Sequence, residues 1–329
     1  MEEQKIELKI INMADIQSQE IEWLWYPFIP YGKLTIIQGD QGDGKTTLVL
    51  NLAAKLSKGI GLDEDMQVSE PMNIIYQTAE DGLADTVKPR LEVADADCEK
   101  IMVIDESEKS LSMIDERLEQ AIVQSNARLL ILDPIQAYLG GGMDMNRANE
   151  ARDMTKKLGA LAEKYQCAIL LIGHMNKASG SKSTYRGLGS IDIQATARSV
   201  LLVARLRDKP NIRIMAHDKS SLAPAGDAIG FEMTEDNGMV CIGPYDITID
   251  ELLSGNEGRG KKKLDIAENF IKEYFGSNKV IPSNEIMMEA AKRSIKRNTL
   301  LSAKKKLGIT SDKEKAEDGT IYWTWVMPE

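Results

Sequence analysis

Eight consecutive residues, Gly39-Asp40-Gln41-Gly42-Asp43-Gly44-Lys45-Thr46, match G-x-x-x-x-G-K-[ST] without a mismatch. The chemistry of that pattern is phosphate binding. Glycines let main-chain N–H groups converge on an anion, and a following helix adds partial positive charge at its N-terminus. The lysine reaches the β- and γ-phosphates and the hydroxyl after it holds Mg²⁺. Gly39, Gln41, Gly42, Asp43, Gly44, Lys45, Thr46 and Thr47 are therefore candidate contacts for ATP, with Mg²⁺ on Thr46. A chance match in a glycine-containing turn is the bland alternative.

Other residues complete the chemistry. A phosphate loop needs a second Mg²⁺-side carboxylate at the end of a hydrophobic strand. Asp133 follows Leu129-Leu130-Ile131-Leu132 and supplies it, unless it is an ordinary turn aspartate before Pro134. Hydrolysis also needs a group that orients and deprotonates water. Glu80, just after the apolar run 72–77, is the choice for that base. Asp81 competes with it, and either residue could instead cap the next helix. His174 follows Ala168-Ile169-Leu170-Leu171-Ile172-Gly173. A polar group there can touch both the γ-phosphate and the next loop, as a sensor; a satisfied structural histidine is the alternative. The polar stretch 176–189 carries Lys177, Lys182 and Arg186, suited to a phosphate backbone. Loop 140–146 has no basic residue until Arg147, so its case is weaker.

These residues must be held by a framework. Residues 33–38 read as a buried strand and 47–56 as a helix, the order a phosphate loop requires. Further strands are expected at 72–77, 101–104, 129–132, 168–172, 200–204 and 212–216. Helices are expected at 83–93, 111–125 and 148–165. Short apolar strands alternating with helices predict an α/β fold with a mostly parallel sheet covered on both faces. Trp23, Trp25 and Tyr26 either cover the core edge or flank a base, with packing the simpler role.

Residues 253–263 are rich in Gly and charge and read as a linker between a first domain, 1–252, and a second, 264–329. Three helices (264–275, 283–294, 297–307, the last capped by Gly308) and a strand at 321–326 outline a winged helix of the helix-turn-helix class. Net charge is −10, yet 259–329 holds 15 Lys/Arg against 10 Asp/Glu. An acidic body with a basic module suggests a local nucleic-acid contact, and a solvated helical face is the plain alternative. Cys98, Cys167 and Cys241 lack metal-type spacing and read as free thiols of a reducing cytosol. Two histidines exclude a His-rich metal centre. No run approaches the ~18 apolar residues of a membrane span. The polar start Met1-Glu2-Glu3-Gln4-Lys5 is no signal peptide, so a cytoplasmic protein without membrane contact is expected.

With these residues placed, 23–255 resembles the RecA-type hexameric ATPases, specifically the RepA-like helicases of plasmids, phages and mobile elements. The motifs in order are WLWYPFIPYGKLTIIQGDQGDGKTT, YQTAEDG, LLILDPIQAYLG, AILLIGHMNK, RGLGSIDIQATARSVLLVAR and HDKSSLAPAG. The resemblance implies Glu80 as catalytic base and His174 as sensor. It implies Arg198 as an arginine finger entering a neighbouring subunit's site, and Lys219 as a second basic residue facing that nucleotide. It also implies a hexameric ring with loops lining a channel for single-stranded DNA. The basic C-terminal module departs from the smallest members. No primase or zinc-binding region is expected, so priming falls to another protein. A replication initiator, a primase or a single-strand-binding protein are the implied partners.

Three functions compete. The first is an ATP-driven helicase or helicase loader of a mobile element or phage. The second is a RadA- or RecA-like recombination mediator or annealing ATPase. The third is a non-motor regulator whose winged helix binds duplex DNA through Arg297, Lys304, Lys305 and Lys306.

Overall fold

Apolar runs in the first 250 residues assemble around one large sheet. The structure, a computed structural model, describes residues 10–63, 66–139, 148–175, 191–234, 238–254, 258–276, 278–315 and 321–328. In chain order the core runs β1 (Trp23–Trp25), β2 (Ile29–Pro30), β3 (Leu34–Gly39), α1 (Lys45–Ser57), β4 (Ile74–Thr78), α2 (Lys88–Val93), β5 (Ile101–Met102) and α3 (Glu116–Ser125). It continues with β6 (Leu129–Asp133), α4 (Ala148–Tyr165), β7 (Ala168–His174), α5 (Ile191–Thr196), β8 (Ser199–Arg205), β9 (Ile212–Ser220), β10 (Ile229–Thr234), β11 (Gly238–Pro244) and α6 (Ile249–Ser254).

The nine-stranded sheet has the order β11-β10-β9-β8-β3-β7-β6-β4-β5. From β5 to β8 every pairing is parallel, and β9, β10 and β11 add antiparallel. Alternation sorts the two faces. Ile37, Leu170, Leu201 and Val203 turn to α1, whose Leu48, Leu52 and Leu56 recur at helical spacing. Ile36, Leu130 and Leu171 turn to the other face, against Leu118 and Ile122 of α3 and Leu158 and Ala162 of α4. Strands buried on both sides explain why the sequence shows unbroken apolar runs.

Some elements differ from the sequence reading for local reasons. Pairing at 101–104 stops after Met102 because the Gln77 amide takes both main-chain groups of Ile104, accepting from its N and donating to its O. Residues 83–93 split into a π turn, Leu83–Val87, and α2, where Pro89 lacks a donor. Helix α3 starts at Glu116, since the Asp115 side chain accepts from Arg117 N and caps it. The buried Leu111 and Met113 precede that cap. Strands β10 and β11 have no counterpart in the sequence reading; glycines at 230, 238 and 243 interrupt their apolar alternation.

The C-terminal part has its own core. It comprises α7 (Gly258–Phe275), β12 (Val280–Pro282), α8 (Ser283–Lys292), α9 (Arg297–Lys306), β13 (Thr310–Lys315) and β14 (Ile321–Val326). Phe270, Ile271, Phe275, Ile286, Leu300, Ala303 and Trp325 fill it. Its strands form an antiparallel sheet, β12-β14-β13, and Gly308 after α9 has φ 69°. Residues 253–254 and 258–263, read as linker, are helical, and 255–257 lie outside the described residues. Asn298 of α9 donates to Asp227 in the ATPase part. Among the described residues no helix is long and apolar enough to cross a membrane.

Candidate active site

Parallel strands present their C-terminal ends at one edge, where loops can reach a ligand. Gly39 ends β3 and pairs with His174 at the end of β7, while Thr78 of β4 pairs with Asp133 of β6. One edge therefore gathers the phosphate loop, Glu80, Asp133 and His174.

The loop is shaped by its own bonds. Asp40 N donates to Asp43 Oδ2 (3.1 Å) and Asp43 N to Asp40 O (3.3 Å), which closes a turn. Gly39 needs its missing side chain, since a Cβ there would lie 2.1 Å from Val203 O. Gly44 has φ 87° and precedes α1 without a side-chain cap, so the first helical N–H groups are not taken by a capping side chain. Lys45 is buried, and its Nζ donates to Gly39 O (2.9 Å) and Asp40 O (2.8 Å). Burial lowers its pKa, against the pull of Asp43 and Asp133.

Thr46 Oγ1 donates to Asp133 Oδ2 at 2.8 Å, and Tyr76 OH donates to the same oxygen at 3.0 Å. Burial pushes the Asp133 carboxyl above its ordinary range, while these two hydrogen bonds pull the other way. A hydroxyl beside a carboxylate suits a hard divalent cation, and an ammonium at a loop of glycine N–H groups suits a triphosphate. The residues present thus fit Mg²⁺–nucleotide.

Of the two candidate bases, Asp81 is tied to Arg90 Nη1 at 2.9 Å, with its N–H on Thr78 Oγ1. Glu80 is free of that pair, largely exposed, and holds Oε2 3.6 Å from His174 Nε2. His174 Nδ1 is buried and finds no partner among the described residues.

Arg198 and Lys219 lie elsewhere. Arg198 N donates to Leu34 O, at the opposite end of β3 from Gly39. Five residues of strand separate those ends, about 17 Å at ~3.3 Å per residue. Arg198 cannot reach its own chain's loop. Its side chain is exposed and lines a cavity of about 330 Å³ with Lys33, Thr155, Gly159 and Glu163. Lys219 pairs with Val200 at the same end. Its Nζ donates to the carbonyls of Gln194 (3.0 Å), Ala195 (3.1 Å) and Ala197 (2.9 Å), which caps the C-terminal end of α5. All three of its protons are engaged.

Lys177, Lys182 and Arg186 lie outside the described residues. In α9, Arg297 is exposed, and Lys304 and Lys306 have intrachain partners. Lys304 Nζ stacks 4.9 Å from the Trp325 ring centroid and donates to Ser311. Lys305 Nζ lies against Gly243, and Lys306 pairs with Glu268 at 2.5 Å. Of the N-terminal aromatics, Trp25 is buried and donates to Asp63 (3.1 Å), while Tyr26 is exposed and meets Trp23 edge-on. Sequence reasoning missed Tyr76, whose signal was its same-face alternation with Thr78 along β4. It also missed Arg213, an arginine inside the otherwise apolar start of β9.

Residues 3–180, more than half of the chain, match the AAA domain family, and the chain belongs to it. With the phosphate-loop strand at the middle of a mostly parallel sheet flanked by helices, its fold is that of a RecA-type P-loop ATPase. It is 24% identical over 251 residues to the DNA repair protein RadA of Streptococcus pneumoniae, covering 75% of this chain and 53% of that protein. RadA of Bacillus subtilis is 24% identical over 229 residues, covering 69% and 44%. The chain thus spans about half the length of the curated relatives it matches. A solved structure of another protein's ATPase domain aligns with TM-score 0.47 at 14% identity, over 63% of this chain and 84% of that one.

Proposed function

We propose that this chain is an ATP-hydrolysing motor on single-stranded DNA, a replicative-type helicase or helicase loader acting as a homo-oligomeric, hexameric ring. The observation that carries the reading is the split between the two ends of β3. The loop, Glu80 and Asp133 stand at one end. The Arg198 guanidinium, unpartnered among the described residues, stands about 17 Å away, beyond reach within one chain. A head-to-tail assembly brings one copy's Arg198 to the next copy's loop.

In this reading the Lys45 ammonium neutralises the outer phosphates, and Thr46 and Asp133 hold the metal. Mg²⁺ held there would supply neutralisation of the charge that develops on the phosphates. The Glu80 carboxylate orients the attacking water and takes its proton, and His174 relays the change to the segment after β7. Lys177, Lys182 and Arg186 are the proposed DNA contacts in the channel. The order helix, strand, two helices, hairpin in 258–328 supports a winged helix. Among the described residues its Arg297 and Lys305 are the basic candidates without a side-chain partner, whereas Lys304 and Lys306 are drawn to intrachain groups, which disfavours the non-motor regulator.

Mg²⁺-dependent ATPase activity that rises with single-stranded DNA and is abolished by Lys45→Ala tests the reading; activity indifferent to Lys45 refutes it. Likeness to RadA favours a second reading, a recombination mediator. A strand-displacement assay separates the two: directional unwinding supports the helicase, annealing without unwinding the mediator.

A further inference from the structure

Two arginines outside the roles given so far converge on the phosphate loop. Arg205 ends β8, and Arg213 stands directly opposite it on β9. Leu201 and Val203 of β8 and Met215 of β9 belong to the α1-side core. By strand alternation Arg205 and Arg213 project to that same face, where the loop turns into α1. Like charges in directly opposed positions repel, so the pairing costs stability unless an anion lies between them.

Their surroundings supply little compensation. Arg213 is only 8% exposed. Its Nη1 donates to Pro210 O and Ile212 O, while its Nε is buried without a partner among the described residues. That Nε faces the loop: a Cβ on Gly44 would lie 3.3 Å from it. Asp43 of the loop accepts from Asp40 N and draws electrostatically on both arginines without forming an ion pair with either. Among the described residues neither arginine forms an ion pair. Burial and the neighbouring Arg205 both depress the Arg213 pKa, and Asp43 opposes them. A buried donor left unmade on a charged group is expensive, and a phosphate oxygen is the acceptor chemically matched to it.

We propose that Arg205 and Arg213 form an anion subsite, in cis, for the phosphate chain of the nucleotide held by the same chain's loop. Arg213 donates through Nε from the sheet side, and the exposed Arg205 closes over the phosphates from solvent. The inference rests on the nucleotide reading of the loop. It differs from the Arg198 assignment in needing no neighbouring copy.

The test is calorimetric titration of the full chain with ATP, ADP and AMP in Mg²⁺. Wild type, Lys45→Ala, Arg205→Gln, Arg213→Met and Arg213→Lys are compared after a thermal melt confirms folding. Arg213→Met and Arg205→Gln are each expected to weaken ATP and ADP about tenfold, the size of one charge-assisted hydrogen bond, with a smaller loss for AMP. Arg213→Lys, which keeps the charge and loses the Nε geometry, is expected to fall between. Wild-type affinity in both Arg205→Gln and Arg213→Met overturns the proposal, as does an equal loss for ATP, ADP and AMP. Should Arg213→Met not fold, Arg205→Gln, altered at an exposed position, decides alone. Failure of wild type to bind ATP, or undiminished binding by Lys45→Ala, refutes the nucleotide reading instead.

Discussion

The two ends of the central sheet are built on opposite plans. At the end carrying Gly39, polar groups are bound to one another across the chain: Thr46 and Tyr76 both donate to Asp133, and Lys45 is folded onto its own loop. At the other end, Lys219 is consumed by three carbonyls, while Arg198 beside it is exposed at a cavity with no bond to its guanidinium among the described residues. The difference teaches what each end can do alone. The first joins its acid, hydroxyls and lysine within one chain, and leaves Arg205, Arg213 Nε and His174 Nδ1 unpaired beside them among the described residues. The second leaves the Arg198 guanidinium exposed and far from its own chain's loop, so in the proposed function its anionic partner comes from a neighbouring copy.

That contrast breaks most readily at Arg198. If Arg198 acts across a subunit boundary, Arg198→Ala is expected to lower ATP turnover by ~10³–10⁵ in the assembled protein and to leave nucleotide binding by the isolated chain unchanged. Mixing Arg198→Ala with Glu80→Gln provides the sharper readout. Each variant is inactive alone, but mixed rings contain sites with an intact base and an intact finger. Turnover regained on mixing supports the trans arrangement, and no regain in stable mixed assemblies sinks it.

Glu80→Gln comes next, with an expected loss of ~10²–10⁴ in turnover for removal of a general base, at unchanged ATP affinity. Asp81→Asn is the control from the same loop. Its carboxylate is bound to Arg90, so its loss is expected to disturb the loop after β4 without removing the base. Equal damage from both substitutions, measured as single-turnover hydrolysis, would contradict the separation of the two acids.

How much of this was legible in the sequence follows from range. The strand, loop and helix around Lys45 were readable because their determinants are consecutive: glycines, lysine and threonine flanked by apolar residues. The α/β class was readable because doubly buried strands leave unbroken apolar runs. The partners of Asp133 were not, since Tyr76 lies 57 residues before it and only strand order makes them neighbours. The cap made by Lys219 depends on carbonyls 22 to 25 residues upstream, so its motif suggested a nucleotide contact while its amine is spent on α5. The truncation of β5 escaped notice because a side-chain amide, that of Gln77, does the work of a strand.

Lys219→Met separates structure from chemistry at the far end of the sheet. It leaves the last carbonyls of α5 without their donor, and a cost of about 1–3 kcal/mol in unfolding free energy is expected, measured by urea denaturation. A folded variant of wild-type stability that had lost turnover would restore Lys219 to the nucleotide's surroundings and deny it the cap.

The smallest expected effect tests the end that carries Gly39. Tyr76→Phe deletes one hydroxyl from a buried ring and leaves the packing of β4 intact. Asp133 Oδ2 then keeps only the 2.8 Å bond from Thr46, and its carboxylate is less firmly oriented. Losing a group that orients a metal ligand typically costs ~10–100-fold in metal affinity. The low end, about tenfold, is expected here, because Thr46 still holds the same oxygen. The readout is the Mg²⁺ concentration giving half-maximal ATP turnover, with kcat at saturating Mg²⁺ little changed. The shift should also be the same in dilute, unassembled chains followed by nucleotide binding, because every atom involved belongs to one chain. A Tyr76→Phe effect that grew with assembly, or an Arg198→Ala effect that persisted without it, would erase the distinction between the two ends.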